Sequence, residues 1–458
     1  MAVITDSDSA SGSNYRSLIG RLLLLLSLVS LQAASDRSVG GEPAVVRIDL
    51  ATAAVPEETS AGETTLESLE EELRRLRAEL DSGKSTYPRI SLGGLLQTEA
   101  AWIRQNDPSI SDPLLGDLQD HRGIRRSRLT ATGKVADNVS MMLDLDFSLP
   151  GRPTILDVVA HISDVPLFGT VSIGQFRQPF GLSELTSVKE LPLFERPITF
   201  AMSPFRQIGV GFSNTTEDKR TLLAASVYGS DTDRFGNSFG DGGIGTAERL
   251  TSALLLDDGA EFVLHAGLGH AFMQHSSGQM RMRTAPEYAG PADNPLSLPA
   301  FIDTGVFAAD SSNIFNAELA GTWGPLHAES ELRVTSAETV ANGTVNFPAA
   351  YAQCGWILTG EHRPYKLGQG VLGRVRPATP LGRNGGLGAL EAAFRWSWMD
   401  LNDNGLVGGE LVTTTWGLNW YLNDYTKLQF NWVRAELDSA TAISSATDLF
   451  ALRMQLDF

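Results

Sequence analysis

The chain has 458 residues, room for one large domain or two to three ordinary ones. Its formal net charge of −18, from 36 basic and 54 acidic residues, argues against nucleic acid as a partner. With a single cysteine, Cys354, it forms no intramolecular disulfide.

In chain order, the first feature is the apolar run Leu22–Leu31, which follows Arg16 and Arg21 and precedes Gln32-Ala33-Ala34-Ser35. A basic start, a short apolar stretch and small residues at the exit predict a secretory signal peptide over residues 1–35. A membrane-spanning helix needs about twenty apolar residues, roughly twice this run. Residues 36–63, rich in Ala, Glu, Thr and Pro, read as a flexible linker. Over residues 64–83 the spacing of Leu66, Leu69, Leu73, Leu76 and Leu80 predicts a short coiled-coil helix. Thr64 and Glu67 form a capping box at its start, and Gly83 ends it. That helix either lies against the following domain or joins a periplasmic bundle.

From Tyr87 onward the pattern is strand, turn, strand. Ser127, Leu129, Ala131, Gly133 and Val135 alternate with Arg126, Arg128, Thr130, Thr132 and Lys134. After the turn Ala136-Asp137-Asn138, the apolar positions Val139, Met141, Leu143, Leu145 and Phe147 alternate with a set that includes Asp144 and Asp146. The theme recurs in Leu390–Trp398, in Trp416–Leu422 and in Leu428–Trp432, with Trp420, Tyr421 and Tyr425 near strand ends. Segments dense in Gly, Asp, Pro and Ser, such as 231–248 and 276–313, read as long loops.

The last strand alternates most cleanly. Phe450, Leu452, Met454, Leu456 and Phe458 fall on one face, and Ala451, Arg453, Gln455 and Asp457 on the other. In a half-buried soluble sheet the apolar face covers a core; in a closed barrel it meets lipid. The length and loop sizes of residues 87–458 predict an all-β fold, a transmembrane antiparallel β-barrel of about sixteen strands. Leu452 then faces lipid and Gln455 the lumen, where Gln455→Arg is expected to be tolerated. The alternative is a secreted all-β binding protein.

Several stretches together resemble the phosphate-selective porins O and P: Arg125–Leu129 (RRSRL), Ile173–Phe180 (IGQFRQPF), Ile208-Gly209-Val210, Phe301–Gly305 (FIDTG), Leu358–Tyr365 (LTGEHRPY), Gly373–Pro377 (GRVRP), Asp400–Asp403 and Gly417–Tyr421. The resemblance runs from about Ile90 to Phe458. It implies a sixteen-stranded trimeric barrel in the outer membrane that passes anions, phosphate or polyphosphate, by diffusion. Beyond residue 83 acids outnumber bases, 40 to 29, whereas a phosphate conduit presents basic rings at its constriction. The charge balance predicts anion selectivity weaker than the resemblance implies.

The candidate pore-lining, anion-binding set is Arg122, Arg125, Arg126, Arg128, Lys134, Arg177, Arg206 and Arg395. Arg126, Arg128 and Lys134 share lumen parity, while Arg125 is placed at the rim. These bases either form a track for anions or pair with carboxylates such as Asp144 and Asp146 on the adjoining strand. Asp400–Gly405 opens like a calcium loop but has Leu411 at the twelfth place, so an Asx-rich turn is expected. His265, His270 and His275 recur every five residues and fall on alternate faces of a strand. No G-x-S-x-G, H-E-x-x-H or P-loop motif is present. The reading is passive passage of small hydrophilic solutes, inorganic phosphate among them, through a lipid-embedded homotrimer, with no catalysis or cofactor. A plugged barrel with a scaffold or adhesion role is the other possibility.

Overall fold

Sixteen antiparallel strands close into one barrel in the computed structural model, which describes Arg74, residues 87–149, 151, 153–230, 243–257, 259, 261–289, 298–438 and 445–458. The expected signal peptide and linker lie outside the described residues, as does the helix of residues 64–83 apart from Arg74, which is helical and exposed. The strands are β1 (Arg89–Gln105), β2 (His121–Ala136), β3 (Val139–Asp146), β4 (Thr154–Val165) and β5 (Gly169–Arg177). Then come β6 (Arg206–Thr215), β7 (Thr221–Gly229), β8 (Ile244–Leu256), β9 (Phe262–Gln274), β10 (Phe307–Trp323) and β11 (Leu326–Thr339). The last five are β12 (Gly343–Ile357), β13 (Ala389–Asp403), β14 (Leu406–Tyr421), β15 (Thr426–Asp438) and β16 (Ser445–Asp457). Each pairs with its sequence neighbours, and β1 closes the ring against β16 from Leu95↔Asp457 to Gln105↔Thr447. Closure leaves no unpaired edge, which a sheet in lipid requires.

The last strand shows which face is which. Leu452, Met454, Leu456 and Phe458 are exposed by 49%, 47%, 38% and 65%, while Arg453, Gln455 and Asp457 between them are buried. Apolar residues therefore point outward and polar ones inward, the inverse of a soluble protein. Eight tryptophans punctuate this outer surface, among them Trp102, Trp323, Trp356 and Trp416, each at least 41% exposed.

The two ends differ in their connections. At one end β2–β3, β4–β5, β6–β7, β8–β9, β10–β11 and β14–β15 are joined by short turns, which mark the periplasmic side. Long connections occupy the other end, with two exceptions: β11–β12 and β13–β14 turn over 340–342 and 404–405. Asn404 and Gly405, at φ 45° and 87°, make the second a two-residue hairpin, which is what the calcium-like sequence builds. The expected loops 231–248 and 276–313 are shorter than the sequence suggested, because β8 begins at Ile244 and β10 at Phe307. Glu248 and Asn313, read as loop residues, instead lie within paired strands.

Three connections fold inward. Residues 178–205 follow β5, residues 281–289 and 298–305 precede β10, and residues 358–388 rise from the periplasmic end between β12 and β13. Phe180, Met202, Phe301, Ile302, Phe347, Met399 and Leu411 join the first two to the barrel wall in one apolar cluster. The core sits inside the barrel, towards its extracellular end.

Candidate functional site: the constricted lumen

The inward loop 178–205 is held like a strand without a sheet. Buried backbone carbonyls need donors, and here side chains of the wall supply them. Lys189 O accepts from Gln455, Leu191 O from Lys427, and Pro192 O from Asn419. Phe194 O accepts from Arg453 and Glu195 O from Arg395. The root of the loop is fixed by Glu331, whose carboxylate takes the Leu182 and Ser183 amides, and by Arg333 pairing with Glu184 at 2.8 Å. Arg196 donates to the carbonyls of Ser183, Glu184 and Thr186, tying the returning limb to the outgoing one.

Glu195 is the electrostatic centre. It lies 3.0 Å from Arg125, 2.7 Å from Arg126 and 2.8 Å from Arg453. Burial alone raises its pKa, but the three guanidiniums prevail and hold it well below the usual carboxylate range. Arg453 also pairs with Glu99 at 2.6 Å. Arg125 reaches this cluster through a bulge: Gln97 faces Arg126 and Thr98 faces Ile124, which leaves Arg125 unpaired and turned inward. Its expected place at the rim is thereby corrected.

The other candidate bases separate into groups. Arg128 pairs with Asp146 at 2.9 Å across the β2–β3 ladder. Arg126, expected to meet the same strand's carboxylates, instead bonds Gln97 and Glu195. Arg206 is 1% exposed and pairs with Asp157 at 2.7 Å. Arg395, equally buried, bonds Glu287 of the second inward segment. Arg177 makes no ion pair among the described residues and donates to Leu185 O in the loop. Lys134 is exposed near the periplasmic mouth, its side chain in no hydrogen bond or ion pair among the described residues. Arg122 shares outward parity with Ile124 and is exposed, so it lies off the lumen.

The sequence reading missed the residues of the inward segments. Lys189 is half-buried, with its ammonium 4.0 Å from Asp457, and burial pulls its pKa down. Lys366, from the periplasmic segment, pairs with Glu190 of the loop at 2.6 Å, and Arg363 donates to Glu190 O. Segments from opposite mouths thus meet at Glu190. Arg374 pairs with Asp457 just below. One signal was available: 178–205 carries Phe180, Leu182, Leu191, Leu193, Phe194 and Ile198, more apolar surface than a solvent loop needs.

The two walls are unequally filled. On β2–β5 the inward residues Thr130, Ser140, His161 and Ser172 are half-buried, and Thr132 and Lys134 are exposed. On β10–β16 their counterparts Asn316, Glu331, Arg333, Glu391, Thr415, Asn419 and Asn431 are at most 4% exposed. The water-accessible lumen lies along the first wall. Lining it beside Arg125 and Arg128 are Lys134 and Arg177, which form no ion pair among the described residues, and Lys189, whose nearest carboxylate is Asp457 at 4.0 Å.

A closed sixteen-stranded barrel with lipid-facing apolar rows and an inward constriction loop is an outer-membrane porin, a channel fold rather than an enzyme's. The profile described as Phosphate-selective porin O and P matches residues 112–458, and the chain belongs to that family. Porin O of Pseudomonas aeruginosa is 26% identical over 317 residues, covering 63% of this chain and 70% of that protein. An uncharacterised protein of Caulobacter vibrioides is 28% identical over 351 residues, covering 73% of this chain and 68% of its own. Among solved structures, the trimer form of OmpT from Vibrio cholerae aligns with a TM-score of 0.51 at 9% identity, covering 81% of this chain and all of that one. An anion-selective porin from Comamonas acidovorans aligns at 0.50 and 12% identity, with the same coverage. At such identities the likeness is one of fold.

Proposed function

We propose that this porin passes small hydrophilic solutes by diffusion with a modest preference for anions, inorganic phosphate included, and that it works as a homotrimer. One observation carries the reading. Along the water-accessible wall the bases Lys134 and Arg177 form no ion pair among the described residues and Lys189 meets Asp457 only at 4.0 Å, although acids outnumber bases in the chain as a whole. Unpaired bases lining a narrow aqueous path set the sign of its selectivity. The preference is modest because Arg125, Arg126, Arg128, Arg206 and Arg453 are spent on carboxylates. The trimer form of OmpT and the anion-selective Comamonas porin agree with this reading.

Planar-bilayer recording tests it. In a potassium chloride gradient the reversal potential should report anions as the more permeant ion, and added phosphate should reduce the chloride current. A cation-selective reversal potential would overturn the anion preference. A second reading, a plugged barrel with a scaffold role, is favoured by the three segments that enter the lumen; it predicts a folded trimer without conductance.

A further inference from the structure

Near the periplasmic end of β10–β12 the outward surface is hollow. Gly321, Ala328 and Cys354 stand side by side across the ladder, with Ser330 and Ala352 one row above. Trp323, Leu326 and Trp356 wall this floor below, and Phe394 stands beside Cys354. The resulting groove encloses about 780 Å³. It opens at the rim into a second hollow of similar size, which shares Trp323 and Trp356 and adds Asp257 and Glu261 from the β8–β9 turn.

Three features together select an occupant. The groove is apolar and rises from Trp323 to Leu319, four residues or ~13 Å along the strand, comparable with one half of a hydrocarbon core about 30 Å thick. Trp323 and Trp356 are 74% and 54% exposed at the depth where tryptophans meet lipid headgroups. Asp257 and Glu261 at the mouth are exposed and in no ion pair among the described residues, and the Asp257 carboxylate accepts from the Phe262 amide. Two unpaired carboxylates beside two indole faces repel a purely anionic headgroup and suit an ammonium.

We propose that this groove binds one phospholipid of the periplasmic leaflet with a primary ammonium headgroup, of the phosphatidylethanolamine class. The acyl chain lies over Gly321, Ala328 and Cys354, and the ammonium sits between Asp257 and Glu261 against Trp323 and Trp356.

The test is native mass spectrometry of the full-length porin released from nanodiscs with equal parts phosphatidylethanolamine, phosphatidylglycerol and phosphatidylcholine. Retained lipid should be enriched severalfold in phosphatidylethanolamine. Asp257→Asn with Glu261→Gln should abolish the enrichment, and Ala328→Leu, which fills the floor, should reduce retained lipid altogether. All variants should keep wild-type conductance and heat-modifiable mobility, so that failure here is separate from failure of the porin reading. Equal retention of the three lipids, or retention indifferent to Ala328→Leu, would overturn the proposal. So would a Cys354–Cys354 crosslink between subunits, because the groove would then be covered by a second copy.

Discussion

The β2–β5 wall and the β10–β16 wall are built from the same strand geometry, yet one is wet and the other is packed. The difference lies in what faces each wall. Across from β10–β16 run three inward segments, and wall side chains there bond to them: Asn419 to Pro192 O, Arg453 to Glu195, Arg395 to Glu287. On β2–β5 no segment of the described residues covers the lower half, where Thr132 and Lys134 are exposed. The two walls differ accordingly: one fixes the constriction, and the other borders the water-accessible lumen.

The largest effects are expected on the packed wall. Arg453→Met leaves Glu99 and Glu195 buried without their shared partner, and breaking such a pair costs about 3–5 kcal/mol. Urea unfolding followed by the gel shift of the folded barrel should register that loss, and single-channel conductance should rise as the loop detaches. Unaltered stability would break the contrast between the walls.

Substitution by arginine at three places comes next. Leu452→Arg puts a charge into lipid at ~2–4 kcal/mol if near the midplane. Gln455→Arg, tolerable on sequence grounds, now carries a cost of about 1–3 kcal/mol from overpacking, because Gln455 is 1% exposed and bonded to Gln97 and Lys189 O. Thr132→Arg on the wet wall should fall within ~0.5 kcal/mol of wild type. The same unfolding assay ranks them, and equal costs at Gln455 and Thr132 would contradict the account.

The barrel was legible in the sequence because its rule is local. Alternation in Phe450–Phe458 is complete within nine residues and assigns Leu452 and Gln455 to opposite faces. The constriction was not legible, since Glu195 meets Arg453 only after the loop folds inward, and no spacing encodes that contact. Arg125 failed for a smaller reason: in RRSR one extra residue hides among like neighbours, so the bulge left no mark. Lys366 and Glu190 come from segments entering by opposite mouths, a pairing that only the tertiary structure reveals.

Subtler effects should appear in selectivity. Replacing both Lys134 and Lys189 by Ala should lower the anion-to-cation permeability ratio with little change in stability. The shift should shrink in 1 M salt, where screening shortens the reach of a charge to about 3 Å. Arg122→Ala should leave the ratio where it was, because that side chain is on the outer surface.

Thiol accessibility tests the division of the lumen most directly. With Cys354→Ser as background, Thr132→Cys and Thr415→Cys place one thiol on each wall, at a water-exposed position and at one buried against Glu287. A charged, membrane-impermeant thiol reagent added during bilayer recording should reduce the current through the Thr132→Cys porin and leave the Thr415→Cys porin unchanged. Block at Thr415→Cys with none at Thr132→Cys would put the conducting path along the wrong wall.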